Sequence, residues 1–152
     1  MPGKSVRIFL DSNVLISGLF SDRGAPRLIL DILSLELPCL KPVRGAYNIA
    51  ETEKTLETKL PAALPAFRSC LSHLGLDIVP LPSRKDIKPL AGMTAPKDLP
   101  VVASAIIGQA DVLVTGDKKH PLKIKRGSFP FLVLSPGEFL AKFLPRFLKE
   151  VY

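Results

Sequence analysis

Apolar positions along the chain fall into short runs that alternate with longer segments of helical spacing. The short runs predict buried strands at 6–10, 38–43, 77–82, 112–114 and 131–134. Segments whose apolar residues recur every three or four positions predict helices at 12–20, 27–36, 46–60, 65–76 and 98–110, and a terminal helix from Pro136. Because strands and helices alternate, the pattern predicts an α/β domain with a largely parallel sheet.

Proline and polar residues refine several of these elements. Prolines within 77–82 place that strand at a sheet edge, because proline cannot donate to a neighbouring strand. Segment 83–97 is predicted as a polar loop, and Asp98 as the N-cap of the helix that follows it. The chain has no repeat, low-complexity tract or linker, so residues 1–152 are predicted to form a single domain.

The predicted terminal helix carries an apolar stripe along one side. Pro145 should kink or restart this helix, because it cannot donate to the carbonyl of Ala141. The stripe either completes the core or lets the last turns cover a partner or a second copy, as in a homodimer. Its members are Phe139, Leu140, Phe143, Leu144, Phe147, Leu148 and Val151.

Net charge, the length of apolar runs and the cysteine spacing indicate the kind of partner and the cellular compartment. A net charge of +7 and a pI near 9.6 favour a polyanionic partner. Apolar runs are too short for a membrane helix, and Asp11 interrupts the N-terminus before any signal-peptide core, so a cytoplasmic protein is expected. Cys39 and Cys70 lack metal-ligand spacing and are interpreted as reduced core thiols.

Acidic residues follow the predicted strands at one edge of the sheet. Asp11 follows the strand 6–10, and Asp117 follows the strand 112–114. Asp98 opens a helix that starts at the same edge, and Glu51 lies near the start of helix 46–60. Each like-charge pair at roughly 4 Å costs about 4 kcal/mol at an effective dielectric near 20. Such a cluster needs shared protons or a divalent cation, and oxygen ligands without paired His or Cys favour Mg²⁺ or Mn²⁺ over zinc, as one or two ions.

Four segments, "IFLDSNVLISGL", "NIAETEKTL", "APKDLPVVASAI" and "ADVLVTGDKKH", resemble in this order the four motifs of PIN domains. The resemblance spans nearly the whole chain and implies a three-layer α/β/α sandwich with a mostly parallel sheet. It implies a metal-dependent ribonuclease with RNA as its substrate. Because many PIN domains are toxins of toxin–antitoxin pairs, it also implies an antitoxin as a candidate partner. The implied metal ligands are Asp11, Glu51, Asp98 and Asp117, with Glu53 and Glu57 as alternatives to Glu51, and the implied supporting residues are Ser12, Asn13 and Thr115.

Each of these residues also has a structural interpretation. Asp11 and Asp98 could cap helices, Glu51 could lie on a solvated helix face, and Asp117 could be a turn residue. Asp111 precedes the strand 112–114 and is therefore expected at the opposite edge, where it would stabilise the helix-to-strand turn. Residues able to hold RNA phosphates, unless they form a solvated loop, are Lys118, Lys119 and His120, with Lys123, Lys125 and Arg126 beyond them.

Other functions fit the sequence less well. A haloacid-dehalogenase-type phosphatase needs a second acid two residues after the first, where this chain has Asn13. Phosphate-loop and dinucleotide-binding glycine motifs are absent from the sequence. A catalytically idle module that binds RNA or a partner remains the alternative, although a binder of polyanions gains nothing from clustered carboxylates.

Overall fold

The computed structural model of the chain describes residues 5–116 and 129–151, with side chains as far as Lys149. In these residues the strands β1 to β5 are Val6–Leu10, Leu40–Gly45, Asp77–Val79, Val112–Val114 and Leu132–Leu134. The helices α1 to α7 are Ser12–Phe20, Ala25–Ser34, Ala46–Lys59, Leu64–His73, Arg84–Ile87, Leu99–Ile107 and Pro136–Val151. Short 3-10 turns lie at Pro61–Ala63, Lys88–Leu90 and Pro96–Asp98.

The strands form one sheet in the order β3-β2-β1-β4-β5, and every neighbouring pair is parallel. Ile8 in the central strand pairs with Pro42 on one side and Val112 on the other. The carboxyl ends of all these strands therefore meet at one edge. The predicted parallel sheet is confirmed, and β3 lies at the end of the sheet, as its prolines indicated.

Helices cover both faces of the sheet. Ile8 and Leu10 of β1 belong to a core that includes residues of α2 and α7, whereas Phe9 belongs to a second core that includes residues of α6. All three side chains are fully buried. Alternating side chains of one strand thus fill two cores, which requires a strand that is apolar on both faces. The result is the predicted three-layer α/β/α arrangement.

The segment 83–97 is not simply a loop, so that prediction was wrong in part. It contains α5 and two 3-10 turns. Ser83 and Asp86 form a reciprocal capping box, in which the Ser83 amide donates to the Asp86 carboxylate at 2.8 Å. Those bonds lower the pKa of the Asp86 carboxyl group. The sequence contained this signal, since a serine followed three residues later by an acid is a typical helix start.

Several helix and strand ends differ from the predicted ones. Helix α2 begins at Ala25, because Pro26 fits the first turn instead of breaking the chain. Helix α4 ends at His73, and α6 ends at Ile107 rather than at 110. After α6 the backbone turns at Gln109, whose φ of 52° is left-handed. Such ends depend on one or two residues and are the part of an element that local patterns predict least well.

The terminal helix α7 mainly completes the core. Phe139 and Phe147 are 0% and 2% exposed, and their ring centroids lie 5.9 Å apart. The helix runs through Pro145 without restarting, so the predicted restart is wrong. Leu148 is 49% exposed, and the alternative role of the last turns in a dimer stays a prediction.

Within the described residues, none of the helices is long and apolar enough to cross a membrane. Cys39 is buried and Cys70 is half-buried, and neither forms a disulfide bond in the described part of the chain. Burial raises the pKa of the Cys70 thiol, while the positive charges of Arg27 and Arg44 oppose that shift.

Candidate active site

Asp11 stands directly after β1, at the junction with α1. Its amide donates to the carbonyl of Val114 at 2.9 Å, which extends the pairing of β1 with β4 by one residue. Its carboxylate Oδ1 accepts a hydrogen bond from the Ser12 amide at 2.7 Å, so the residue caps α1. The side chain is half-buried. The capping role and a site role are compatible, because a carboxylate has about four lone-pair positions.

Thr115 lies beside Asp11, although the two residues are far apart in the sequence. The Thr115 hydroxyl donates to Asp11 Oδ2 at 2.9 Å. The bond joins the ends of β1 and β4. From this pair of strands, β2 and β3 extend the sheet on one side and β5 extends it on the other, so the strand order reverses between β1 and β4. In open parallel sheets, ligands bind in the crevice at such a reversal of strand order. Asp11 and Thr115 therefore lie where an α/β domain places its ligand.

Glu51 projects from α3 and is exposed to solvent. Burial raises the pKa of the Tyr47 phenol, and the charge of Glu51, one helical turn later, raises it further. The alternative Glu53 lies 3.7 Å from Arg68 in an ion pair between α3 and α4. Glu57 is exposed. Glu51 is thus accessible to a ligand, whereas Glu53 faces a cation on a neighbouring helix.

Asp98 closes the turn Pro96–Asp98 and occupies the N-cap position of α6. Its backbone is already helical, with φ −93° and ψ −10°, and its side chain makes no capping hydrogen bond. The predicted position is confirmed, but the predicted capping bond is not formed. The half-buried Asp98 carboxylate therefore does not serve the helix end in the way that the structural interpretation required.

The remaining predicted residues divide into two groups. Ser12 is half-buried and Asn13 is exposed, both in the first turn of α1. Asp117 and the basic segment after it lie outside the described residues, which stop at Gly116 and resume at Phe129. This segment contains the predicted RNA contacts Lys118, Lys119 and His120, and also Lys123, Lys125 and Arg126.

The donor set at this edge consists of carboxylate and hydroxyl oxygens, which suits Mg²⁺ or Mn²⁺. Each oxygen of Asp11 accepts one hydrogen bond from the neighbours described above and retains a lone pair for an ion. Among residues 5–116 and 129–149, no three acidic, histidine or cysteine side chains come together as a metal site. Asp117, which the sequence predicts as a further ligand, lies outside that part of the chain.

Arg44, near the end of β2, was missed by the sequence analysis. Its side chain is fully buried, and Nη1 donates to the carbonyl of Leu10 at 2.8 Å. Nη2 lies 3.4 Å from the hydroxyl oxygens of Ser12 and Thr52. The only signal was a second basic residue, close to the end of the strand "LKPVRG". That position would ordinarily be interpreted as a strand end that reaches solvent.

The charge of Arg44 is retained at neutral pH in spite of its burial. Burial lowers the pKa of the guanidinium group to about 10, and the carboxylate of Asp11 opposes this shift. Within the described residues its Nε has no hydrogen-bond acceptor. A buried cation with an unsatisfied donor is costly, so its presence calls for a compensating role.

Gly45 lets α3 approach α6 behind the site. A Cβ atom there would lie 2.8 Å from Ser104 Oγ and 2.9 Å from Asn48 Oδ1, closer than packed atoms allow. Asn48 is 2% exposed, and its Oδ1 has no donor among the described residues. Sequence analysis missed Gly45 and Asn48 as well, because this contact joins helices that are distant in the sequence.

The opposite edge of the sheet holds Asp111, as predicted. Its amide donates to the carbonyl of Arg7 at 2.8 Å, and its Oδ2 accepts from the Arg7 amide at 2.8 Å. The Arg7 side chain donates to the carbonyl of Gly108 and to Asp77 Oδ2, each at 2.8 Å. Asp111 therefore connects the turn before β4 to the start of β1, which is a structural role.

Comparison with known proteins identifies the fold. No family model matches the chain, and no curated protein matches its sequence. Among solved structures, VapBC2 from Rickettsia felis, bound to a DNA fragment from their promoter, matches with a TM-score of 0.59 at 17% identity, over 86% of this chain and 98% of that one. PAE2754 from Pyrobaculum aerophilum matches with a TM-score of 0.57 at 17% identity, over 95% of this chain and 90% of that one.

The chain has a PIN-like fold. At 17% identity these neighbours show the fold alone. In this PIN-like fold, the carboxyl edge of the sheet brings together the end of β1, the end of β4 and the starts of α1, α3 and α6. The sequence motifs and the fold thus indicate the same edge of the sheet.

Proposed function

We propose that the protein is a divalent-metal-dependent endoribonuclease, with Asp11, Glu51, Asp98 and Asp117 as its metal ligands. The observation that carries the proposal is the position of Asp11. Its half-buried carboxylate lies at the reversal of strand order and is oriented by bonds from Ser12 and Thr115. A carboxylate placed and oriented in this way is suited to hold a hard cation.

The chain's own residues would act mainly by orientation. The Ser12 amide and the Thr115 hydroxyl hold the two oxygens of Asp11 in one direction, so the carboxylate does not need to reorganise when a ligand arrives. Glu51 is exposed on α3, directly before the buried Thr52, and is therefore open to a ligand that comes from solvent. When bound, Mg²⁺ or Mn²⁺ would activate water for attack on phosphorus and stabilise charge on the phosphate.

RNA is the proposed substrate because the chain as a whole is basic. A net charge of +7 on 152 residues favours association with a polyanion. Lys118, Lys119 and His120 directly follow the proposed ligand Asp117 and are proposed to hold RNA phosphates. Metal-dependent cleavage of RNA uses both kinds of residue, namely basic side chains that attract the phosphates and acidic side chains that hold the ion.

Metal dependence tests the proposed activity. Purified protein is incubated with single-stranded RNA in Mg²⁺, in Mn²⁺ and in EDTA, and isothermal titration measures Mn²⁺ binding without substrate. We expect internal cleavage with either ion, none in EDTA, and recovery when Mn²⁺ is added back. RNA binding without cleavage under all three conditions would identify an idle binding module instead, and undiminished cleavage in EDTA would exclude the metal site.

We also propose that the protein acts as a toxin held inactive by an antitoxin. Support comes from the PIN-domain resemblance of the four motifs and from the fold shared with a structure of VapBC2. Induced expression of the wild-type chain in a bacterial host should arrest growth, while the Asp11→Asn variant at equal abundance should not. Normal growth with abundant, RNA-cleaving wild-type protein would contradict the toxin role and leave the nuclease proposal intact.

A further inference from the structure

Arg44 connects the two elements that carry Asp11 and Glu51. Its Nη1 donates to the carbonyl of Leu10, the residue before Asp11, and its Nη2 contacts the hydroxyl of Ser12, the residue after it. The same Nη2 lies 3.4 Å from the hydroxyl of Thr52, the residue after Glu51. One rigid guanidinium group therefore contacts both neighbours of Asp11 and one neighbour of Glu51.

The contacts of Thr52 orient its hydroxyl group toward Arg44. The Thr52 hydroxyl donates to the carbonyl of Asn48 at 2.7 Å, so its lone pairs face the guanidinium group. Thr52 and Asn48 are 1% and 2% exposed, and both lie on the inner side of α3. Since Glu51 is the adjacent residue on α3 and is exposed, the contact that holds Thr52 inward also determines where Glu51 emerges.

The cost of Arg44 indicates that stability alone does not explain it. The group is fully buried, and its Nε finds no acceptor among the described residues. Arg7, one strand away and at the opposite edge, is half-buried and has Asp77 as an ion-pair partner. A planar fork with several donors suits the bridging of fixed acceptors, which lysine cannot reproduce.

We propose that Arg44 is the positioning residue of this site, which sets the Asp11 carboxylate against the helix that carries Glu51. The inference rests on the proposed function, because it assigns Arg44 to the metal ligands proposed above. Arg44 itself touches neither substrate nor ion, since it is fully buried. It acts through the main chain at Leu10 and the hydroxyls of Ser12 and Thr52.

Two variants test the contacts by which Arg44 connects Asp11 to α3. Arg44→Lys keeps the positive charge but loses the fork, and Thr52→Val removes one acceptor at equal size. We expect each variant to weaken Mn²⁺ binding about tenfold or more, the effect typical of losing an outer-shell partner. Thr52→Val decides the question if Arg44→Lys does not fold.

Matched controls separate positioning from general destabilisation. Arg7→Lys alters an arginine that also donates to a main-chain carbonyl, but at the other edge. Thr58→Val removes a hydroxyl that donates to the carbonyl of Lys54 at 3.0 Å on the same helix as Thr52. Both controls should leave Mn²⁺ affinity within about twofold of wild type. Equal weakening in test and control variants, or wild-type affinity in both test variants, would overturn the role of Arg44.

Amide hydrogen exchange gives a readout that does not need metal. In metal-free wild-type protein the Ser12 amide is bonded to Asp11 Oδ1 and should be protected. Exchange at Ser12 should accelerate about tenfold in Arg44→Lys and Thr52→Val but not in the controls. If wild-type protein binds no Mn²⁺, the proposed function fails; unchanged Ser12 exchange in both test variants overturns the positioning role independently.

Discussion

The two edges of the sheet use the same residue types for different purposes. At the amino edge, the Arg7 side chain donates to Gly108 and Asp77, while Asp111 bonds to the main chain of β1. At the carboxyl edge, Arg44 donates to a main-chain carbonyl and contacts two hydroxyls, while Asp11 accepts from Ser12 and Thr115. One edge pairs its arginine with a carboxylate, and the other keeps the two apart.

This difference shows how a site is distinguished from a scaffold. The Arg7–Asp77 pair is partly exposed, with side chains 28% and 51% accessible, and it holds two strand ends together. Arg44 is fully buried below a half-buried carboxylate that keeps unused lone pairs. A buried charge that is not neutralised by contact is costly, and ionisable groups perturbed in this way are concentrated at functional sites.

The largest effect is expected on RNA cleavage, when the same substitution is made at Asp11 and at Asp111. Asp11→Asn should reduce RNA cleavage by at least about 100-fold, because loss of a ligand exceeds the 10- to 100-fold loss typical of outer-shell partners. Asparagine retains the shape and the acceptor for the Ser12 amide, so the protein should stay folded, with a melting temperature lowered slightly by the lost charge near Arg44. Asp111→Asn should retain cleavage and lose about 0.5–1.5 kcal/mol of stability if its bond to the Arg7 amide is lost. Comparable cleavage by the two variants would remove the functional distinction between the edges.

A second pair concerns two glycines that allow close packing around α6. A Cβ atom at Gly45 would lie 2.8 Å from Ser104 Oγ, and one at Gly108 would lie 2.6 Å from Val79 Cγ2. Both alanine variants should lower the free energy of unfolding by about 1–3 kcal/mol, as overpacking does. Only Gly45→Ala should also weaken Mn²⁺ binding, because it separates α3 from α6. Chemical denaturation and titration of both variants measure the two effects, and weaker binding in Gly108→Ala would show that metal affinity follows stability alone.

A third pair compares the two arginines in stability. A folded-state pKa of about 10, well below the ordinary value for arginine, corresponds to a cost of about 3 kcal/mol for the charged form. Because the folded-state value is the lower one, this cost is present at every pH below about 10 and is relieved only above it. In Arg44→Met the relief should offset the lost donor to Leu10, so stability should stay within about 1 kcal/mol of wild type.

In contrast, Arg7→Met should lose about 1–2 kcal/mol, because it removes two well-formed hydrogen bonds without such relief. Urea denaturation at neutral pH measures both arginine variants. A loss above about 3 kcal/mol in Arg44→Met would mean that Arg44 serves stability first.

The smallest effect is expected at Asp77. Asp77→Asn breaks an ion pair that is open to solvent, which is worth about 0.2–1 kcal/mol and less at high salt. Cleavage and Mn²⁺ binding should not change. Thermal melts at low and high ionic strength test this, and a salt-independent loss would show that the pair is less exposed to solvent than its accessibility indicates.

Much of the fold was predictable because it depends on local periodicity. The apolar run at 6–10 and the helical spacing after it correctly located β1 and α1, and strict alternation of elements predicted the parallel sheet. The placement of Asp11 and Asp111 at opposite edges followed from strand direction alone. The loop predicted at 83–97 was wrong in part because a capping box starts α5 there, and the predicted restart at Pro145 was wrong because α7 runs through that proline.

The sequence by itself determined the α/β class, the direction of each strand and therefore the edge at which Asp11 and Asp98 lie. Tertiary structure alone decided that Thr115 donates to Asp11, that Gly45 admits Ser104, and that Arg44 is buried below the site. These contacts join residues up to 104 positions apart, and they depend on the strand order β2-β1-β4. Periodicity reports which side of an element is apolar, but the choice of neighbouring elements is made by packing of the whole core.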